Sequence, residues 1–205
     1  MQQIEHGIYF ENSYPGVTVG AILLPMGTIM IDAPLRAEDA RLWLNLLNNL
    51  GAKPNRVLVN LDAHPDRTLG ARSMECTIIA HQKTAQVFKG RPSVFKGQNA
   101  ESGSIWETFD DVVGTRWALP DITFTHQISL HWGEQEVLIE YHAGPAPGGT
   151  WGFLLVLGGE HALVEVHQPV RSLGGVRIVG DHDDGLLELG LEPVEQLEDL
   201  LARLA

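Results

Sequence analysis

The sequence predicts an α/β domain built on a two-sheet core with helices outside. Three observations carry this. Short β-rich apolar runs fall into two batches, one in each half of the chain. Each half opens on a strand meander, and helical periodicity enters only after it. An amphipathic segment closes the chain. Two packed sheets covered by helices satisfy this pattern without leaving an apolar sheet face in water.

Residues 17–24 are β-rich, Pro25-Met26-Gly27 makes a turn, and residues 28–32 form the next strand. That second run is apolar on both faces, which places it centrally. Residues 38–50 read as a helix, with Ala40, Leu44, Leu47 and Leu50 at helical spacing and Gly51 as its stop. Residues 56–61, with Val57-Leu58-Val59, are a buried strand. Residues 77–80 are another, followed by a short helix at 82–88. Residues 92–103 are polar and carry Gly and Ser, so a loop is expected, and Ile105, Phe109 and Val112 suggest a further helix. Strands are predicted at 122–130, 136–142, 151–157 and 162–167, the last two separated in hairpin fashion by Gly158-Gly159. Residues 192–205 form the closing helix, with Pro193 in its first turn and Val194, Leu197, Leu201 and Leu204 on one face.

Composition narrows the function. At 205 residues, 44% hydrophobic and 20% charged, residues 1–205 read as a single globular domain. A formal charge of −12 argues against a general nucleic-acid binder, which needs a basic face. A lone cysteine, Cys76, excludes an internal disulfide and a cysteine-rich zinc site, and it precedes an apolar run as an inert thiol would. No run reaches the roughly 20 apolar residues of a membrane span. Residues 1–6 lack the basic and apolar regions of a signal peptide, so the expected compartment is the cytoplasm. The expected partner is a small-molecule substrate, with neither nucleic acid nor membrane, and self-association stays open.

The informative segment is 60–70, Asn-Leu-Asp-Ala-His-Pro-Asp-Arg-Thr-Leu-Gly, directly after a buried strand. In extended backbone, side chains at i, i+2 and i+4 share one side. Asp62, His64 and Asp66 would therefore converge, and imidazole with carboxylates is a plausible metal-ligand set. The other reading is a solvated polar turn in which Asp62 caps the loop and Asp66 pairs with Arg67.

Segment 60–70 resembles the signature loop of the metallo-β-lactamase superfamily, whose pattern is roughly N-T-H-x-H-x-D-H-x-x-G after a buried strand. Asn60, His64, Asp66 and Gly70 match it. Ile29-Met30-Ile31-Asp32 resembles the family's strand ending in a buried aspartate, and Ile79-Ala80-His81 its next strand. Gly144-Pro145-Ala146 is similar to the G-P-x-H segment, and residues 151–167 to the hairpin that ordinarily ends in Gly-Asp. The resemblance covers residues 17–170 and implies a four-layer αββα sandwich.

The departures are specific. Asp62 stands at the family's first loop histidine and Arg67 at the histidine after the aspartate. Pro147 replaces the G-P-x-H histidine, and the bridging aspartate falls near His167. His182 is the nearest candidate for the last histidine. Of the usual ligands, His64 and Asp66 alone carry over. Family members hold two metals around a hydroxide that attacks a carbonyl or phosphodiester. Arg67 puts a permanent cation at the second metal's ligand position, so a dinuclear centre is not expected.

Two functions stay open. One is a hydrolase with a single divalent metal ion, zinc by preference, on Asp62, His64 and His167. Asp66 would act as fourth ligand or orient the water, and Arg67 would steady a developing oxyanion or bind substrate. The substrate would be a small ester, thioester, amide or phosphodiester. The other is a catalytically silent, metal-free member of the fold, kept as a small-molecule-binding or assembly module. Between Arg67 and Lys96 lie six basic residues and one acidic residue, which would draw an anionic molecule if they line the mouth. His81 reads as structural, and His142 borders the pocket loop.

Overall fold

A computed structural model describes residues 1–97, 107, 109–133, 135–143, 148–156, 164–167, 176–180 and 187–188, with backbone alone from residue 151 onward. A seven-stranded mixed sheet takes its strands in chain order: β1 (Gln2–Glu5), β2 (Ile8–Glu11), β3 (Val19–Leu23), β4 (Thr28–Ile31), β5 (Arg56–Asn60), β6 (Thr77–His81) and β7 (Ile122–Phe124). The first four strands pair antiparallel, and β4 to β7 pair parallel. A second sheet is the antiparallel meander of β8 (Gln127–Trp132), β9 (Gln135–Tyr141) and β10 (Thr150–Val156). β11 (Val164–His167), β12 (Val176–Gly180) and β13 (Leu187–Glu188) form a third group, with β11 alongside β10.

The period of two along each central strand divides the core. Ile29, Ile31, Val57, Val59 and Ile79 point to one face, where they meet Val137 and Ile139 of the second sheet. Met30, Leu58 and Ile78 point to the other, against the helix α1 (Ala37–Asn49). Sheet on sheet and helix on sheet are thus both present, as the sequence predicts. The helix expected at 192–205 and the Gly158-Gly159 turn lie outside the described residues. Among the described residues no helix is long and apolar enough to cross a membrane.

Several elements differ from expectation. β1 and β2 precede the first predicted strand; their signal was Ile4, Ile8 and Phe10, the last two fully buried. The face α1 buries is Ala40, Trp43 and Leu47, while Leu50 is 37% exposed. The single strand predicted at 122–130 is two strands in different sheets. A bend at Thr125 and His126 carries the chain across, pinned by His81 Nε2 to Thr125 O (2.9 Å) and by Tyr141 N to His126 O (2.7 Å). Around Phe109 and Val112 there is a three-residue 3-10 turn, Asp110–Val112, where a helix was expected. Both side chains pack with Leu35, Phe88, Phe95 and Trp117 under a loop, so their apolar spacing reflects burial rather than helical periodicity.

Candidate functional site

The site gathers at the carboxyl ends of the parallel strands β4, β5 and β6, where open α/β sheets bring their loops together. Asp32 follows β4 directly. It is 1% exposed and left-handed at φ 55°, a conformation aspartate tolerates better than most side chains. Its Oδ1 accepts from Leu61 N at 3.0 Å, fixing the start of the loop after β5.

That loop is built by its own polar groups. Asp62 Oδ1 accepts from His64 N at 2.8 Å, and Asp62 Oδ2 lies 2.9 Å from His64 Nδ1. His64 caps the short helix α2 (Pro65–Thr68), with Pro65 supplying the first helical residue and Thr68 Oγ1 donating to His64 O. The 3-10 segment Leu69–Met74 continues it. Ala33 N donates to Arg67 O at 3.1 Å. Thr150 Oγ1, at the start of β10, donates to Leu61 O at 2.7 Å and ties the second sheet to the same loop.

Arg67 lies at the centre. Its Nη1 is 3.5 Å from Asp62 Oδ2 and 3.8 Å from Asp32 Oδ2, and its Nε is 3.8 Å from Asp66 Oδ1. Its side chain is 10% exposed. Burial opposes the guanidinium charge, but the three carboxylates outweigh that and raise its pKa. Burial likewise opposes charge on Asp62, yet Arg67 and His64 hold its pKa down at about 2. Burial dominates at Asp32, lifting it to about 7 against the pull of Arg67. Asp66 is also raised, by burial first. His64 is raised, chiefly by its bond to Asp62.

These shifts set a pH dependence. Asp32 contributes stability below its unfolded value of 3.8 that is lost as pH rises through about 7. Asp66 and His64 act in the same direction; Asp62 acts oppositely, but only as pH falls from 3.8 towards 2. The urea midpoint is therefore expected to fall between pH 5 and pH 8. Asp32→Asn keeps an acceptor for Leu61 and tolerates the left-handed backbone, so it should flatten that fall. An unchanged slope in the variant would place the titration elsewhere.

The structure thus brings together Asp62, His64, Asp66 and Arg67. His167 ends β11, and its side chain and His182 lie outside the described residues. His81 is structural: its Nδ1 accepts from Lys83 N, capping the helix α3 (Gln82–Gly90), and its ring stacks on Tyr141 at 4.0 Å. Burial lowers its pKa. His142 pairs with Glu140 at 3.2 Å. Burial pushes the Cys76 thiol up to about 11, away from thiolate reactivity. Thr150 carried no signal in sequence, and Arg91 stood there only as one of a basic run.

As placed, the described residues do not fit a metal ion. Both Asp62 oxygens face His64, His64 Nδ1 faces Asp62, and a guanidinium lies among the carboxylates. Among the described residues no group of three or more His, Cys, Asp or Glu is arranged to hold one.

No family model and no curated protein matches the sequence. Solved structures do. The chain is 18% identical to a metallo-β-lactamase of Cronobacter sakazakii described by a HARLDQ motif, with a TM-score of 0.61 over 85% of this chain and 66% of that one. A subclass B3 metallo-β-lactamase of Bradyrhizobium japonicum gives 20% identity and 0.57 over 81% and 60%. A class B3 di-zinc metallo-β-lactamase from an Alaskan soil metagenome gives 16% and 0.57 over 82% and 63%. The chain spans at most 66% of the length of these structures. At such identities the likeness speaks to architecture alone: the chain has the metallo-β-lactamase fold.

Proposed function

We propose that this chain is a metal-free member of the metallo-β-lactamase fold whose site serves as a small-molecule-binding module, with Arg67 supplying the positive charge that metal ions supply elsewhere in the fold. One observation carries the reading: a buried guanidinium within 3.5–3.8 Å of three carboxylates. Two unit charges 4 Å apart repel by about 4 kcal/mol at an effective dielectric constant near 20, and a divalent ion would double that. The HARLDQ motif offers a parallel. With its aspartate set on Asp66, its alanine falls on Ala63, its arginine on His64 and its glutamine on Arg67, so that motif too carries a guanidinium within this loop, two positions before the aspartate. A solved variant of that protein replaces an arginine, a glutamine and a lysine with histidine.

The second reading is the mononuclear hydrolase on Asp62, His64 and His167. It is favoured by one placement: β11, which ends at His167, runs beside β10, whose Thr150 bonds Leu61. In that reading Asp66 orients the water, but Arg67 is already committed to carboxylates. Elemental analysis of untagged protein separates the two. The metal-free reading expects less than about a tenth of an equivalent of any transition metal and no thermal shift on adding zinc. One equivalent that disappears in His64→Ala would overturn it in favour of the hydrolase.

A further inference from the structure

We propose that Arg91 anchors an oxyanion, a carboxylate or phosphate carried by the small molecule, beside the 62–67 loop. The assignment deepens the binding-module reading and rests on it. Arg91 follows α3 and is half-buried. Its guanidinium carbon lies 4.8 Å from the ring centre of Trp117 and 5.6 Å from that of Phe88. Its Nη1 donates to Ala63 O at 2.9 Å, the carbonyl between Asp62 and His64. A guanidinium carries five N–H donors. Among the described residues, Arg91 makes this one hydrogen bond and no salt bridge.

Of the other partly buried arginines, Arg67 has its three carboxylates, Arg36 pairs with Asp39 at 2.8 Å and Glu38 at 3.4 Å, and Arg56 divides its donors between Lys53 O and Asn48 Oδ1. Desolvating a cation is costly, and the Asp62 carboxylate that acts on Arg91 from the same loop makes no direct ion pair with it, so a half-buried guanidinium bonded, among the described residues, to one carbonyl and packed on two rings keeps donors for an anion. Stacking on Trp117 and Phe88 restricts its rotamers before any ligand arrives, which lowers the entropy lost on binding. The planar fork matches the paired oxygens of a carboxylate or phosphate. Residues 76–100 contain no acidic side chain, and the Asp62 carboxylate that acts on Arg91 is already paired with His64 and Arg67.

The test titrates the full chain, in EDTA, with inorganic phosphate and separately with succinate, reading tryptophan fluorescence and thermal midpoint. One of the two anions is expected to bind saturably, and which one separates phosphate from carboxylate. Arg91→Lys keeps the charge but loses the fork, so binding should weaken about tenfold with the anion-free midpoint little changed. Arg41→Gln, on the exposed side of α1, should bind as the wild type does. The proposal is overturned if neither anion binds, if Arg91→Lys binds equally well, or if sodium chloride at matched ionic strength has the same effect. Binding that requires added zinc would instead overturn the metal-free reading, and the Arg91→Lys comparison would still decide the anchor.

Discussion

Arg67→Ala is expected to lose about 3–5 kcal/mol of unfolding free energy at pH 8, because it strands buried carboxylates without their counter-charge. Asp32 and Asp62 are each 1% exposed, and Asp66 Oδ1 is buried with no hydrogen-bond partner. Without the guanidinium the pKa values of all three rise. The folded state then binds more protons than the unfolded chain over the range above pH 4, and stability falls as pH rises there. The deficit should therefore be smaller at pH 5 than at pH 8, as urea unfolding at the two pH values would show. The same variant removes the repulsion that keeps a cation out. A zinc-dependent rise in its melting midpoint, absent from the wild type, is expected from the carboxylate cluster freed of its guanidinium and from His64. A deficit below 1 kcal/mol, equal at both pH values, would mean that the carboxylates do not depend on Arg67.

Much of this arrangement was legible in the sequence because it is local. The alternation of Asp62, His64 and Asp66 after an apolar strand was read on extended backbone; the chain instead turns helical at Pro65, and through that turn Asp62 and Asp66 meet Arg67 while His64 meets Asp62. Even the blander reading, Asp62 capping the loop and Asp66 pairing with Arg67, is present in the same geometry. What the alternation could not give was depth. Asp32 lies thirty residues upstream of Asp62, and only the parallel pairing of β4 with β5 brings it to 3.8 Å from Arg67. Depth decides the chemistry: on a surface turn Arg67 would be a solvated cation, whereas here it is enclosed by carboxylates. Arg91 was hidden for the same reason. Its rings come from α3 and from residue 117, and its carbonyl partner from the loop after β5.

The split of the predicted strand at 122–130 has a similar origin. Ile122, Phe124, Ile128 and Leu130 keep one alternation throughout, and all but Ile122 join the same inter-sheet core. Both sheets bury the same side of this stretch, so the pattern runs unbroken while the hydrogen bonds change sheets at Thr125 and His126. Periodicity reports which side is buried; it does not report which neighbour buries it.

Gly70→Ala is expected to be the most damaging added methyl group among the described glycines. A Cβ at residue 70 would lie 1.7 Å from Pro34 O and 2.9 Å from Pro34 C, both backbone atoms. No rotamer change relieves a clash with main chain, so a segment must move. The two candidates are the turn after β4 and the 3-10 segment after α2. They are laced by Ala33 N to Arg67 O, and Asp32 is bonded to Leu61 N. Displacing either segment pulls Asp32 away from Arg67 and opens the cluster. The expected loss is about 4 kcal/mol or more, in the range that marks a specific structural fault rather than an ordinary substitution. Gly148 provides the comparison: its Cβ would meet Thr84 Oγ1 at 2.2 Å, and its φ of +83° adds strain, but part of that clash is with a side chain. Gly148→Ala should therefore cost less than Gly70→Ala, and it should leave the Arg67-dependent difference between pH 5 and pH 8 intact. Gly70→Ala should abolish that difference even where it folds. Urea unfolding of both variants, each with and without Arg67→Ala, measures this directly. If Gly70→Ala and Arg67→Ala were simply additive, the packing of residue 70 on Pro34 would not be what holds the guanidinium among its carboxylates.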